Sequence, residues 1–167
     1  NGNRISVLDE NGNYISSFGE KGRGKGQLLG PQYIAIDSND NIFVTDYGNA
    51  RVCVFDGDFN YLFNFGKFTS PTGIAVLNDN VYIADSVEGY IYRYDNAGNF
   101  IDYLVPKDTF EKIESISVVN EYLIVTDKNK IHAVDVDSGS VTEIANTGNS
   151  PTKLISAKID GNSNLIS

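Results

Sequence analysis

The chain has 167 residues, 41% of them hydrophobic, and 13 lysines and arginines against 22 aspartates and glutamates give a net charge of −9. That charge argues against a phosphate-backbone partner and against an anionic membrane surface, and the apolar fraction argues against a disordered chain. No apolar run is long enough to span a bilayer, and a single cysteine, Cys53, rules out an intrachain disulfide.

Ten tyrosines and nine phenylalanines, among many Ile and Val, favour strands throughout. The first expected strands are residues 4–9 and 14–18, joined by Asn11-Gly12-Asn13. Gly19-Glu20-Lys21-Gly22-Arg23-Gly24-Lys25-Gly26 follows. It has the Gly-x4-Gly-Lys part of a phosphate loop but lacks the next Ser or Thr, and Pro31 forbids a long helix after it. It is read as a linker, and as the one compact basic stretch it is where an acidic partner would touch. Strands are then expected at 31–37, 42–46, 51–56 and 61–65, again at 71–77, 81–85, 90–95 and 100–104, and again at 113–119, 123–127, 130–135 and 141–145. A last start stands at 151–157, with a second run from Leu165. Cys53 is expected to be a buried small hydrophobe in its strand. Methionine is absent, also at position 1, so the chain is expected to be a processed product or an excised piece.

These runs repeat. Ile34, Ile74, Ile116 and Leu154 occupy one position in successive units of about forty residues. Gly- and Asn-rich turns supply the positive φ that tight hairpins require. Four short strands per unit describe a blade of an all-β propeller. Runs such as Ile42-Phe43-Val44 lose strict alternation because stacked blades bury both faces of a middle strand. One domain, 1–167, is expected, with blades at 31–66, 71–105 and 113–147. Residues 151–167 and 1–19 would share a fourth, closing the ring through N- and C-terminal strands. The alternative is a part of a five- or six-bladed ring.

The unit resembles the NHL repeat. Ile34-Ala35-Ile36-Asp37, Asn41-Ile42-Phe43-Val44-Thr45-Asp46, Gly48-Asn49-Ala50-Arg51-Val52 and Val54-Phe55-Asp56 carry the likeness, which weakens in the copies from Pro71 and Ile113. The resemblance implies that Asp46, Asn49 and Arg51, with their counterparts Asp85, Asp127, Arg4 and Lys130, lock blades together rather than catalyse. Metal-dependent lyases of this kind use several histidines, whereas His132 is the only one here. No catalytic residue and no metal ligand is assigned. Calcium is the one cofactor considered, at the oxygen-rich turns Asp9 to Asn13 and Asp37 to Asn41.

The segments that break the repeat, above all Pro106 to Lys112, are the expected recognition elements. Tyr47, Tyr90, Thr109, Phe110 and Lys112 are the candidate partner contacts. The expected function is a non-enzymatic binding or scaffold propeller for a protein, peptide or glycan, without nucleic acid or membrane insertion, in an extracytoplasmic or cell-surface setting. The alternatives are a metal-dependent, lactonase-like hydrolase and an architectural unit of a cell-surface assembly, as an oligomer or part of a larger chain.

Overall fold

The structure, a computed structural model, describes residues 2–148 and the backbone of two short strands at 158–159 and 165–166. It forms two compact units, Asn1–Phe68 and Thr69–Ser167.

The first unit opens with the antiparallel pair β1 (Ile5–Leu8) and β2 (Tyr14–Phe18) and a short parallel pair, β3 (Glu20–Lys21) and β4 (Gln27–Leu28). An antiparallel four-stranded sheet follows, β5 (Pro31–Ile36), β6 (Ile42–Asp46), β7 (Arg51–Phe55) and β8 (Tyr61–Phe65), each strand beside the next in sequence. Every residue of β6 is buried, as befits a middle strand covered on both faces. One face packs Ile42, Val44, Cys53 and Phe55 against Phe18 and Leu28, with Ile5 and Val7 at the margin. Cys53 is buried there, and burial pushes its thiol up to about 11.

The second unit repeats this order twice. One sheet is β9 (Pro71–Leu77), β10 (Asn80–Asp85), β11 (Tyr90–Asp95) and β12 (Phe100–Tyr103). The other is β13 (Ile113–Val119), β14 (Tyr122–Asp127), β15 (Lys130–Asp135) and β16 (Val141–Asn146). A common core takes Ala75, Tyr82 and Ile91 from one sheet and Ile116, Leu123 and Val134 from the other. The first strands of the two sheets, β9 and β13, approach closely at Gly73, where a Cβ would lie 2.9 Å from the Ile116 backbone nitrogen. The glycine of Pro71-Thr72-Gly73 is therefore a packing requirement. Arg93 of β11 ties the sheets further, donating to the Val136 carbonyl at 3.1 Å while its fork grips Asp102.

The sheet of the first unit differs at its first strand, β5. Ile34 is 48% exposed, whereas its repeat counterparts Ile74 and Ile116 are 6% and 8% exposed. Within the first unit, the buried cluster facing β1 and β2 draws on β6 and β7 and leaves β5 aside.

Two further strands, β17 (Lys158–Ile159) and β18 (Leu165–Ile166), pair with each other. Of the fourth blade expected from 151–167 and 1–19, the N-terminal part supplies β1 and β2, while most of 151–167 lies outside the described residues.

Candidate functional site

Three aspartates end the second strand of their sheets and face the first residue of the third: Asp46 opposite Arg51, Asp85 opposite Tyr90, Asp127 opposite Lys130. All three are buried. A buried carboxylate must find donors, and each does so differently.

Asp46 accepts the Leu29 N–H at 2.6 Å, the Asn49 side-chain amide at 2.7 Å and the Arg51 Nε at 2.9 Å. The Arg51 fork continues to the carbonyls of Gly24 and Gln27, at 2.9 and 2.8 Å, and Asn49 also donates to the Gly22 carbonyl at 2.9 Å. A 3-10 turn at Tyr47–Asn49, ending on Ala50 at φ 57°, brings Asn49 and Arg51 to the carboxylate. Together they clamp residues 22–29 by their backbone. Two of the loop's own N–H groups are also engaged, Gly22 to the Leu28 carbonyl and Gly24 to Gln27 Oε1, which leaves neither free for an anion.

Asp85 has no guanidinium and is satisfied by main chain. Thr69 and Ser70 donate to Oδ2 at 2.7 and 3.1 Å, and Val87 and Glu88 to Oδ1 at 3.1 Å each. Asp127 accepts Glu111 N–H at 3.1 Å and Lys112 N–H at 2.6 Å, anchoring the end of the long loop. Lys130 does not reach it. The ammonium pairs instead with Glu143 of β16 at 3.0 Å, an exposed contact, because Glu143 lies diagonally across the strand pair. The imidazole of His132 lies nearer, its Nε2 3.6 Å from Asp127. Arg4 is exposed and stands just before β1.

A second motif recurs in the hairpins. Asp9, Asp37, Asp56 and Asp95 each accept two backbone N–H groups of their own turn through Oδ1, two and four residues on. The asparagine four residues on donates its side-chain amide to Oδ2. Asp135 does the same work with Ser138. The pattern Asp-x3-Asn stands five times in the chain, at Asp9, Asp37, Asp56, Asp95 and Asp160, and was available as a signal. In the two turns considered for calcium, the carboxylate oxygens thus face N–H donors. Among the described residues, no three His, Cys, Asp or Glu side chains stand together as a metal-holding group.

These hydrogen bonds hold the carboxyls of Asp9 and Asp95 below the usual range, chiefly through Asn13 and Asn99, and those of Asp56 and Asp135 chiefly through the Asn60 and Ser138 N–H groups. A folded pKa below the unfolded value gives stability that is complete above the unfolded pKa, about 3.9, and is lost as pH falls through the folded one. Urea denaturation is therefore expected to show a midpoint steady from pH 7 to about 5 and declining below about 4. In Asp56→Asn the decline should be shallower.

The candidate partner contacts divide. Tyr47 is 41% exposed on its 3-10 turn. Tyr90 stacks on Tyr103 at 4.1 Å between ring centroids, with Tyr92 and Phe100 edge-on nearby. The Lys107 ammonium lies 5.4 Å from the Tyr90 ring centroid. Phe100 and Tyr103, which sequence reasoning passed over, are 49% and 46% exposed. Burial and then the Asp85 carboxylate push the Tyr92 phenol up. Thr109 and Lys112 are exposed, Thr109 closing the loop onto the Pro106 carbonyl at 2.6 Å and Lys112 pairing with Glu114 at 2.9 Å. Phe110 is not a surface contact: it is 6% exposed, sits in the core of the second unit and meets the His132 ring edge-on at 5.3 Å. A polar loop buries its one aromatic side chain because burying a ring outweighs its neighbours' preference for water.

A model of the NHL repeat matches residues 28–55. Human E3 ubiquitin-protein ligase NHLRC1 is 27% identical over 95 residues, covering 55% of this chain and 24% of that protein. Protein brain tumor of Drosophila melanogaster is 29% identical over 98 residues, 53% of this chain and 10% of that protein. Among solved structures, a catalytically inactive virginiamycin B lyase from Staphylococcus aureus with quinupristin matches with a TM-score of 0.72 at 19% identity, over 96% of this chain and 54% of that one. The chain thus spans about half the length of the lyase and a quarter or less of these curated relatives. The likeness to the lyase is one of fold.

Proposed function

This chain belongs to the NHL-repeat β-propellers, and we propose that it works as a non-enzymatic binding propeller whose partner is a protein. Similarity to an E3 ubiquitin-protein ligase over 55% of this chain supports a protein-engaging role. The observation that carries the reading is the aromatic face of β11 and β12. Tyr90 and Tyr103 are stacked and therefore pre-ordered, and the exposed ring of Phe100 extends them. Rigid tyrosines give large contact area at small entropic cost, which is why they dominate protein interfaces. Lys107 joins the loop at residues 106–112 to this face, so the segment that breaks the repeat and the aromatic stack present one surface of the second unit. The repeat-obeying aspartates satisfy backbone donors and have a structural role.

The test is capture from native extract on immobilised protein, quantified by mass spectrometry. Tyr103→Ala and Phe100→Ala are each expected to reduce the same captured partner by about tenfold or more, with little change in melting temperature. A separate Tyr47→Ala variant asks whether the first unit contributes. Undiminished capture by both Tyr103→Ala and Phe100→Ala would remove the assignment.

A further inference from the structure

Resting on that reading as a protein-binding propeller, we infer that the loop from Lys21 to Lys25 is a preformed cationic face for an acidic polypeptide segment of the partner. Among the other described bases, five are taken by carboxylates and Lys107 lies over the Tyr90 ring, while Arg4 and Lys67 each stand alone in the sequence. Arg51, Arg93, Lys112, Lys128 and Lys130 all pair with carboxylates. Lys21, Arg23 and Lys25 are exposed, and among the described residues none stands in an ion pair.

The backbone explains why all three point outward. Lys21, Arg23 and Lys25 alternate with Gly22, Gly24 and Gly26, and the glycine side of the loop is filled. A Cβ at Gly22 would lie 2.1 Å from Gln27 Oε1, and one at Gly26 would lie 3.1 Å from the Tyr61 Cβ. Arg51 and Asn49 hold the carbonyls of Gly22, Gly24 and Gln27 from beneath. The three cations are thus displayed on a loop whose ordering is already complete, so a ligand meets a smaller entropic cost.

Beside Lys25 opens a groove of about 390 Å³ lined by Gln27, Phe55, Phe59 and Tyr61. It would take one apolar side chain of the same segment. Glu20 also lines this groove and weakens an anionic ligand's attraction. Three cations fit a short run of carboxylates. They do not suit nucleic acid, which needs several more phosphate contacts and would meet the field of a chain carrying −9.

The probe is a fluorescein-labelled peptide of six glutamates around one leucine, titrated by anisotropy against the full chain at low salt. The expected result is saturable binding that weakens with salt. Replacing Lys21, Arg23 and Lys25 together by glutamine should weaken it roughly tenfold or more, and Glu20→Gln should tighten it. Replacing Lys112, Lys128 and Lys130 by glutamine changes the net charge equally and should do much less. Equal loss in that control, no binding by the intact chain, or tighter binding of an oligothymidylate of matched charge would each overturn the inference. Capture that depends on Tyr103 while the peptide fails to bind would sink this inference alone. Peptide binding without Tyr103-dependent capture would sink only the functional reading.

Discussion

Asp46→Ala is expected to destabilise the first unit by about 3–5 kcal/mol, the usual cost of removing one partner from a buried ion pair. The carboxylate is fully buried and the Arg51 side chain only 13% exposed, so solvent cannot take over its role. The change orphans the Leu29 N–H, one Asn49 amide bond and the Arg51 Nε at once. Hydrogen exchange should report it locally, with amides from Gly22 to Leu29 losing protection before those of β6 and β7. Adding Arg51→Met to Asp46→Ala should recover part of the loss, because an apolar side chain leaves no uncompensated charge. A cost below about 1 kcal/mol, with unchanged exchange in the loop, would mean that the clamp is not what holds it.

Phe110→Ala is expected to cost the second unit about 3–5 kcal/mol, as deletions of buried rings do. Its neighbours Thr109 and Lys112 are exposed, and alanine there should change stability by about 0.5 kcal/mol or less. Calorimetry on the three variants separates the core residue from the surface ones in a single loop. Any binding study of residues 106–112 has to leave Phe110 in place, since its removal leaves a cavity beside His132 and Ile113. Equal melting temperatures for Phe110→Ala and Lys112→Ala would contradict the packing described above.

Much of the fold was legible because it rests on local rules. Apolar runs of five to seven residues, punctuated by Gly and Asn, mark strands within a residue or two of where they lie, as with β6, β8 and β11. Two local features went unseen. The 3-10 turn at Tyr47–Asn49 sits in what reads as a plain hairpin, and the parallel pairing of β3 with β4 joins stretches of two residues, too short for any periodicity. The candidate site was less legible. Alignment places Arg51, Tyr90 and Lys130 in one column, yet their partners are a buried carboxylate, a stacked tyrosine and a glutamate on the next strand.

The chain alone determined the period, the strand order within each sheet, and the position of the strand-end aspartates, because hydrogen-bonded hairpins propagate a register once turn and apolar pattern agree. Tertiary structure alone decided which donors each aspartate meets, why Gly73 has no side chain, and that Phe110 is core while Phe100 and Tyr103 are surface. Those outcomes depend on contacts between residues far apart in sequence, such as Gly73 with Ile116 and Phe110 with His132, and close packing between sheets, not local propensity, selects them.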